Sequence, residues 1–384
     1  MEPATAQLSG IPWLGLPANI IEAALKGGEV VLSRRKTRQA VWAAAFLAAL
    51  GCLVYPSPIG AQTTGGASSS NATSVPKMRS RLMTSLTGYE VAEYLKRNDV
   101  VFVPVGPVEV NGGNPTDVEY VIPLAYALKL AEKSDGLVMP YLAYFYPGST
   151  TISPGTVMVS VEEGLPYLKA LTRSLIRHGF RRIIFLTSHG PSGDTLGPLV
   201  RETFDETHVP VVWMDTGAIS AAGHTLPDDA MRGRAPNASA RTAPAGAPGA
   251  PASMEQLFLE RKQITYGAYL AVGRLEDMPI GFSVPRHAVE SDPSDRKLSR
   301  LLGNPGQRDY GRFYADPSEH GGWPEAVTAE QRAEWAKQGL ALIDAQVAAY
   351  DVAGMLDALR QHDQFTKTLE KKYGDLLPPG PPRP

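Results

Sequence analysis

Two stretches, Asp99–Gly106 (DVVFVPVG) and Arg181–Thr187 (RRIIFLT), decide how this chain folds. Both are of strand length and almost continuously apolar, without the alternation of a strand wetted on one face. Such runs belong to strands covered by helices on both sides. The surrounding sequence agrees. Thr87-Gly88-Tyr89-Glu90 opens a helical pattern that ends at Asn98, and further helices are expected over about 120–133, 161–178 and 195–207. Strands are expected over 136–144 and 209–214. Helix and apolar strand therefore alternate, which predicts an α/β fold, a three-layer α/β/α sandwich with a mostly parallel central sheet. Later in the chain, 254–272 reads as helix, 281–284 as a strand and 328–359 as one long helix.

Composition narrows the function. Of 384 residues, 43% are hydrophobic, enough for a substantial core. The 37 Lys and Arg are balanced by 39 Asp and Glu, so no excess positive charge is available for phosphates and no nucleic-acid partner is expected. The single cysteine, Cys52, excludes an intramolecular disulfide framework and any thiolate-rich metal site.

The N-terminal region reads as a targeting signal. A basic run, SRRKTRQ at 33–39, precedes the uncharged AVWAAAFLAALGCLVY at 40–55, and small residues end at Ala61. Basic, apolar and small-residue segments in that order are the parts of a secretory signal. Export to the periplasm or beyond is the expectation, with an uncleaved membrane anchor as the alternative. Residues 1–61 are thus read as an extension plus signal or anchor, and 62–78 as a flexible linker. The α/β domain is expected over 79–350. It is interrupted by an Ala/Pro/Gly-rich insertion at about 223–253, and 351–384 is read as a helix end and Pro-rich tail.

In an open parallel sheet, ligands bind outside the carboxyl ends of the strands. Glu109 and Asp117 follow the first apolar run, and His189 follows the second. Two carboxylates and an imidazole at neighbouring strand ends suit Zn²⁺ or Mn²⁺, which would acidify a water or polarise a carbonyl. Asp117 and Asp194 also suit helix capping. Tyr144, Tyr146 and Trp213 lie near strand ends, where aromatics line a pocket or pack in the core.

VFVPVGPVEVNGGNPTD at 101–117 and FLTSHGPSGD at 185–194 resemble the two signatures of the creatininase family. In that family a strand is followed by Glu-x-His-Gly and a Thr-Asp pair, and a second strand by Asn-Gly-His-Gly-Gly-Asn. Ile152-Ser153-Pro154-Gly155-Thr156 resembles its Pro-Gly-Thr turn, and the 322–330 segment GWPEAVTAE resembles the stretch before its last helix. The resemblance implies a one- or two-metal hydrolase, often a homo-oligomer, acting on a cyclic amide or other C–N bond of a small-molecule substrate. It matches Glu109, Asp117 and His189 to metal ligands. Asn111 stands at the first-motif histidine, Asn114 at a later histidine of some relatives, and Pro191 where creatininase proper has a glutamate. Asp194 or Glu255 is the candidate to supply the missing catalytic carboxylate, and Asn111, Asn114, Ser188, Gly190 and Tyr146 are candidates to meet substrate. Two alternatives stand beside this reading. One keeps the fold with an eroded site, as a binding or assembly protein. The other is a serine hydrolase using Ser192, Asp215 and His224, in the chain order of α/β-hydrolases.

Overall fold

The computed structural model of the protein describes residues 78–140, 142, 144–222, 254–283, 294, 297–298, 301 and 326–374. The targeting segment, the 62–76 tract, the 223–253 insertion, His224, His287, His320 and the Pro-rich end lie outside the described residues.

The chain enters the domain through helix α1 (Gly88–Leu95). Its start is a capping box: the Thr87 hydroxyl accepts from the Glu90 N–H, and the Glu90 carboxylate accepts from the Thr87 N–H. Strand β1 (Val100–Pro104), helix α2 (Val118–Ser134), strand β2 (Leu137–Val138) and helix α3 (Val161–Arg177) follow. Then come strand β3 (Arg182–Thr187), helix α4 (Gly193–Thr207), strand β4 (Val212–Asp215) and the short helix α5 (Gly217–Ala222). Helices α6 (Met254–Ala271), α7 (Ala329–Ala349) and α8 (Val352–Tyr373) complete the described elements.

The four strands form a parallel sheet in the order β2-β1-β3-β4. Val100 pairs with Arg182 and Pro104 with Leu186, which fixes the register of the two central strands. Successive strand residues point to opposite faces. Val100, Phe102, Ile184 and Leu186 pack on one side with side chains of α2, α6, α7 and α8. Val101, Val103, Ile183 and Phe185 pack on the other with side chains of α1, α3 and α4. All eight are fully buried, each contributing on the order of 1.5–3 kcal/mol. Both faces are covered, so the three-layer α/β/α sandwich is the observed fold.

Three expectations need correction. The strand expected over 136–144 is continuous only at Leu137–Val138; beyond it the pairing with β1 is broken into single contacts, the Met139 N–H donating to the Phe102 carbonyl at 2.9 Å and Leu142 bridging Val105. Residues 281–283 form no strand. The single helix expected over 328–359 is two: Tyr350 is extended (φ -72°, ψ 126°), and the Asp351 side chain accepts from the Gly354 N–H to start α8. Helix α8 then buries Val352 and Leu356 in the core and sets Asp363 against Arg181, 2.5 Å away.

Candidate active site

The strand order places the site. From β1 the chain crosses to β2 on one side, and from β2 it crosses back to β3 on the other. The carboxyl ends of β1 and β3 therefore flank the crevice at which the winding reverses, the usual ligand position in such sheets.

The loop leaving β1 is built tightly. At Gly106 a Cβ would lie 2.3 Å from the Glu119 carbonyl oxygen, so only glycine lets the strand end pass the start of α2. The loop then folds on itself: the Glu109 N–H donates to the Thr116 carbonyl at 2.8 Å, and Gly112 at the tip has φ 54°. A second wall comes from 148–157. Val157 N–H donates to the Val108 carbonyl at 2.9 Å, and Val110 N–H to Thr156 Oγ1 at 3.1 Å. Gly155, in the Pro-Gly-Thr turn, has φ 91°, a left-handed value that suits glycine. Gly148 faces Pro191 so closely that a Cβ would meet Pro191 Cγ at 2.8 Å. This contact sets the Gly148–Thr150 turn beside the turn that follows β3.

Glu109 and His189 meet between these walls. His189 Nε2 lies 3.3 Å from Glu109 Oε1, and their side chains are 3% and 0% exposed. Each group is braced from behind. Thr150 Oγ1 donates to Glu109 Oε2 at 2.5 Å, and His189 Nδ1 lies 3.2 Å from Ser192 Oγ. Thr187 Oγ1 contacts Ser192 Oγ at 3.1 Å and accepts the His189 N–H at 3.1 Å.

Asp117 does not join this pair. Its Oδ1 accepts from the Tyr269 hydroxyl at 2.7 Å and its Oδ2 from Arg274 Nη1 at 2.6 Å. The reason is local: Glu109 pairs with Thr116, and Asp117, one residue on, sits at the start of α2, on which α6 packs. Asp117 occupies the N-cap position but makes no side-chain capping hydrogen bond. Burial, reinforced by Asp117, raises the Tyr269 hydroxyl well above its ordinary pKa. Burial works to lower the Arg274 value, but hydrogen bonds to Asp117 and Asp277 outweigh it and raise it. Asp117 thus anchors α2 to the end of α6. Among the described residues, no three His, Cys, Asp or Glu side chains are grouped to hold a metal ion.

A second polar cluster borders the pair. Asn111 Nδ2 donates to Glu119 Oε1 at 3.0 Å, and Asn114 Nδ2 donates to Asn111 Oδ1 at 2.9 Å. Both ends of the buried Asn111 amide are thus engaged in hydrogen bonds. Ser188 Oγ donates to Glu119 Oε2 at 3.0 Å. Asp194 is exposed in the first turn of α4, and Gly190 is exposed in the turn before it. Tyr146 is half-buried in the wall loop. Glu255 lies in the first turn of α6, and its side chain is outside the described residues. Tyr144 lines a cavity of about 190 Å³ with Leu142, Phe145, Val159, Tyr167 and Leu168, whereas Trp213 packs against the core. Ser192 is fully buried on His189. Asp215 accepts from the Gly217 N–H at 2.6 Å, and burial pushes its carboxyl above the usual range.

Thr150 and Glu119 escaped the sequence reading. Thr150 sits in a turn distant in sequence from Glu109, and Glu119 reads as an ordinary acidic residue in a helix's first turn.

What converges, then, is one carboxylate oxygen and one imidazole nitrogen, both buried and both held in place. Two such donors are one fewer than the three protein ligands of a catalytic zinc site, so a cation held here would draw its remaining ligands from water or substrate. The pair does not provide the three-ligand set expected from sequence.

A family model for creatininase, creatinine amidohydrolase, matches residues 84–246. A creatinine amidohydrolase of Pseudomonas putida is 30% identical over 103 residues, 23% of this chain and 37% of that protein. A 3-dehydro-scyllo-inosose hydrolase of Thermotoga maritima is 32% identical over 108 residues, 28% of this chain and 35% of that protein. The chain thus matches little more than a third of the length of either relative. A solved structure described as creatininase Mn aligns with 78% of this chain and 100% of its own, at 18% identity and a TM-score of 0.45.

Proposed function

As a member of the creatininase family of hydrolases, this chain is, we propose, a metal-dependent hydrolase that cleaves a C–N bond of a small molecule, a cyclic amide first of all. One observation carries the reading. A buried carboxylate and an imidazole nitrogen face each other at 3.3 Å, each braced by a hydroxyl behind it. Glu109 and His189 would hold one Zn²⁺ or Mn²⁺, which when bound supplies an acidified water or a polarised carbonyl. The protein's own share is arrangement. Thr150 holds the Glu109 carboxylate, and Ser192 holds the ring of His189. Asn111 and Ser188 both donate to Glu119 and Asn114 donates to Asn111, so these groups hold the edge of the crevice in place beside the pair.

Turnover of small lactams and cyclic ureides, with added Mn²⁺ or Zn²⁺ and with chelator, tests this. Activity that needs the cation and falls at least about a hundredfold in Glu109→Gln supports it, the loss expected when a group acting at the reacting centre is removed. Activity that survives chelation or the substitution counts against it.

A second reading keeps the fold and drops the chemistry, as a binding or assembly protein. The engagement of Asp117 by Tyr269 and Arg274, and of Asn111 by Asn114 and Glu119, favours it. A folded protein that takes up neither cation would establish that reading in place of the first.

A further inference from the structure

We propose that the cavity lined by Tyr144 is a second subsite at the crevice end of the sheet, one that takes an uncharged apolar ring; that this ring belongs to the molecule cleaved is the part that rests on the hydrolase reading above. The cavity has a volume of about 190 Å³ and lies between the chain that leaves β2 and the first turns of α3. Leu142, Phe145, Val159 and Leu168 wall it, and Gly164 borders it without a side chain. None of the described residues lining it is charged. An apolar cavity of about 150 Å³ accepts one benzene ring, so this one has room for a single ring and little more. A whole ligand site runs to roughly 300 Å³ or above. The cavity therefore holds part of a ligand, and the remainder has to lie outside it. Tyr144 and Tyr167 complete the lining while staying 63% and 58% exposed. Single exposed apolar side chains are ordinary on a protein surface. Two large aromatic faces turned to one apolar cavity are not scattered, and each covers a bound ring at little cost in side-chain entropy.

Three tethers fix the cavity close to the Glu109–His189 pair. Leu142 bridges Val105, just beyond β1, and its carbonyl accepts the Gly106 N–H at 3.4 Å. The Val157 N–H donates to the carbonyl of Val108, the neighbour of Glu109, and Val159 follows two residues later, at most about 7 Å of chain. Gly164 faces α4: a Cβ there would lie 3.8 Å from Cγ2 of Thr195, which stands three residues after the Ser192 that contacts His189. The chain between crevice and cavity, Val157 and Met158, is itself apolar and half exposed. A small molecule that meets the pair with its polar ring can therefore lay an apolar ring in the cavity through a linker of a few atoms. The cavity acts on which molecule is held, and the pair on what is done to it.

Full-length protein with labelled methyl groups tests this, titrated with benzyl alcohol and, as a polar ring of similar size, with glucose. Benzyl alcohol is expected to bind with a Kd on the order of millimolar and to shift the methyls of Leu142, Val159 and Leu168. Glucose is expected to leave them unmoved. Gly164→Leu places a side chain in the space, and Tyr167→Ala removes one aromatic face from an exposed position. Each is expected to weaken benzyl alcohol about tenfold, and Tyr167→Ala keeps the test decisive if Gly164→Leu does not fold. Methyls that stay still, methyls that move equally with glucose, or binding that both variants leave intact overturn the proposal. Turnover decides the substrate half. A small lactam bearing a benzyl group is expected to show a KM about tenfold below that of the same lactam without it, and Tyr167→Ala to erase the preference. Equal KM values in wild type overturn that half. If neither lactam is cleaved, the hydrolase reading is what fails, and the titration alone decides whether the cavity is a ring subsite.

Discussion

Thr150 tests the site at the smallest scale, because it touches the proposed ligand and not the cation. Its hydroxyl donates to Glu109 Oε2 at 2.5 Å, and Thr150→Val removes that donor at nearly constant volume. Zinc affinity is expected to fall about tenfold, while stability drops by roughly 1.5–3 kcal/mol, the worth of one hydrogen bond to a charged group. Calorimetric titration and thermal unfolding read the two effects separately; an unchanged affinity would show that the carboxylate needs no brace. At this scale the sequence was partly legible. Glu109 and His189 stood out because a carboxylate and an imidazole directly after buried strands serve folding poorly. Asp117 is read beside them after the same strand, and the fold sets it on Tyr269 of α6 and on Arg274 just beyond that helix, contacts that the sequence does not reveal. Thr150 could not be read at all: it reaches Glu109 through a contact between Gly148 and Pro191 that only the folded chain makes.

Elements were easier to read than their ends. The apolar runs became β1 and β3, and the capping pairs Thr87/Glu90 and Ser160/Glu163 sit at the starts of α1 and α3. The break between α7 and α8 was missed, although Asp351 followed by Gly354 carries the signal of a helix start. Less visible still was how closely α6 and α7 cross. A Cβ on Gly339 would lie 1.7 Å from the Gln263 carbonyl oxygen, and one on Gly267 would lie 2.3 Å from the Gly339 carbonyl carbon. Backbone cannot give way as a flexible side chain can. Gly339→Ala is therefore expected to destabilise the protein by about 2–3 kcal/mol, at the upper end of overpacking. Gly197, the fifth residue of α4, has nothing within 4 Å of its would-be Cβ beyond its chain neighbours, but Pro198 follows it. The helix-propensity gain of Gly197→Ala is offset by the crowding a proline imposes on a preceding helical Cβ, so a change within about 0.5 kcal/mol is expected. Denaturant unfolding of the two variants checks the contrast, and equal effects would mean that the crossing is looser than described.

For the whole molecule, the topology does most of the work. Parallel strands buried on both faces demand helices above and below, and the order β2-β1-β3-β4 leaves one crevice beside β1 and β3. Fold class and the place of the crevice follow from the sequence for that reason, since both depend on strand character and not on particular contacts. The composition of the site does not follow, because convergence of side chains depends on loops whose geometry no periodicity records. In the proposed function, Glu109 and His189 are the two protein donors to one divalent cation. The most direct test is metal content of the purified full-length protein after reconstitution with Zn²⁺ or Mn²⁺ and removal of excess, compared with His189→Ala and Glu109→Gln. About one ion per chain in wild type, and close to none in either variant with the fold retained, is the expected result for a site built on two donors. Stoichiometric metal that persists in both variants, or a folded wild type that retains none, would contradict it.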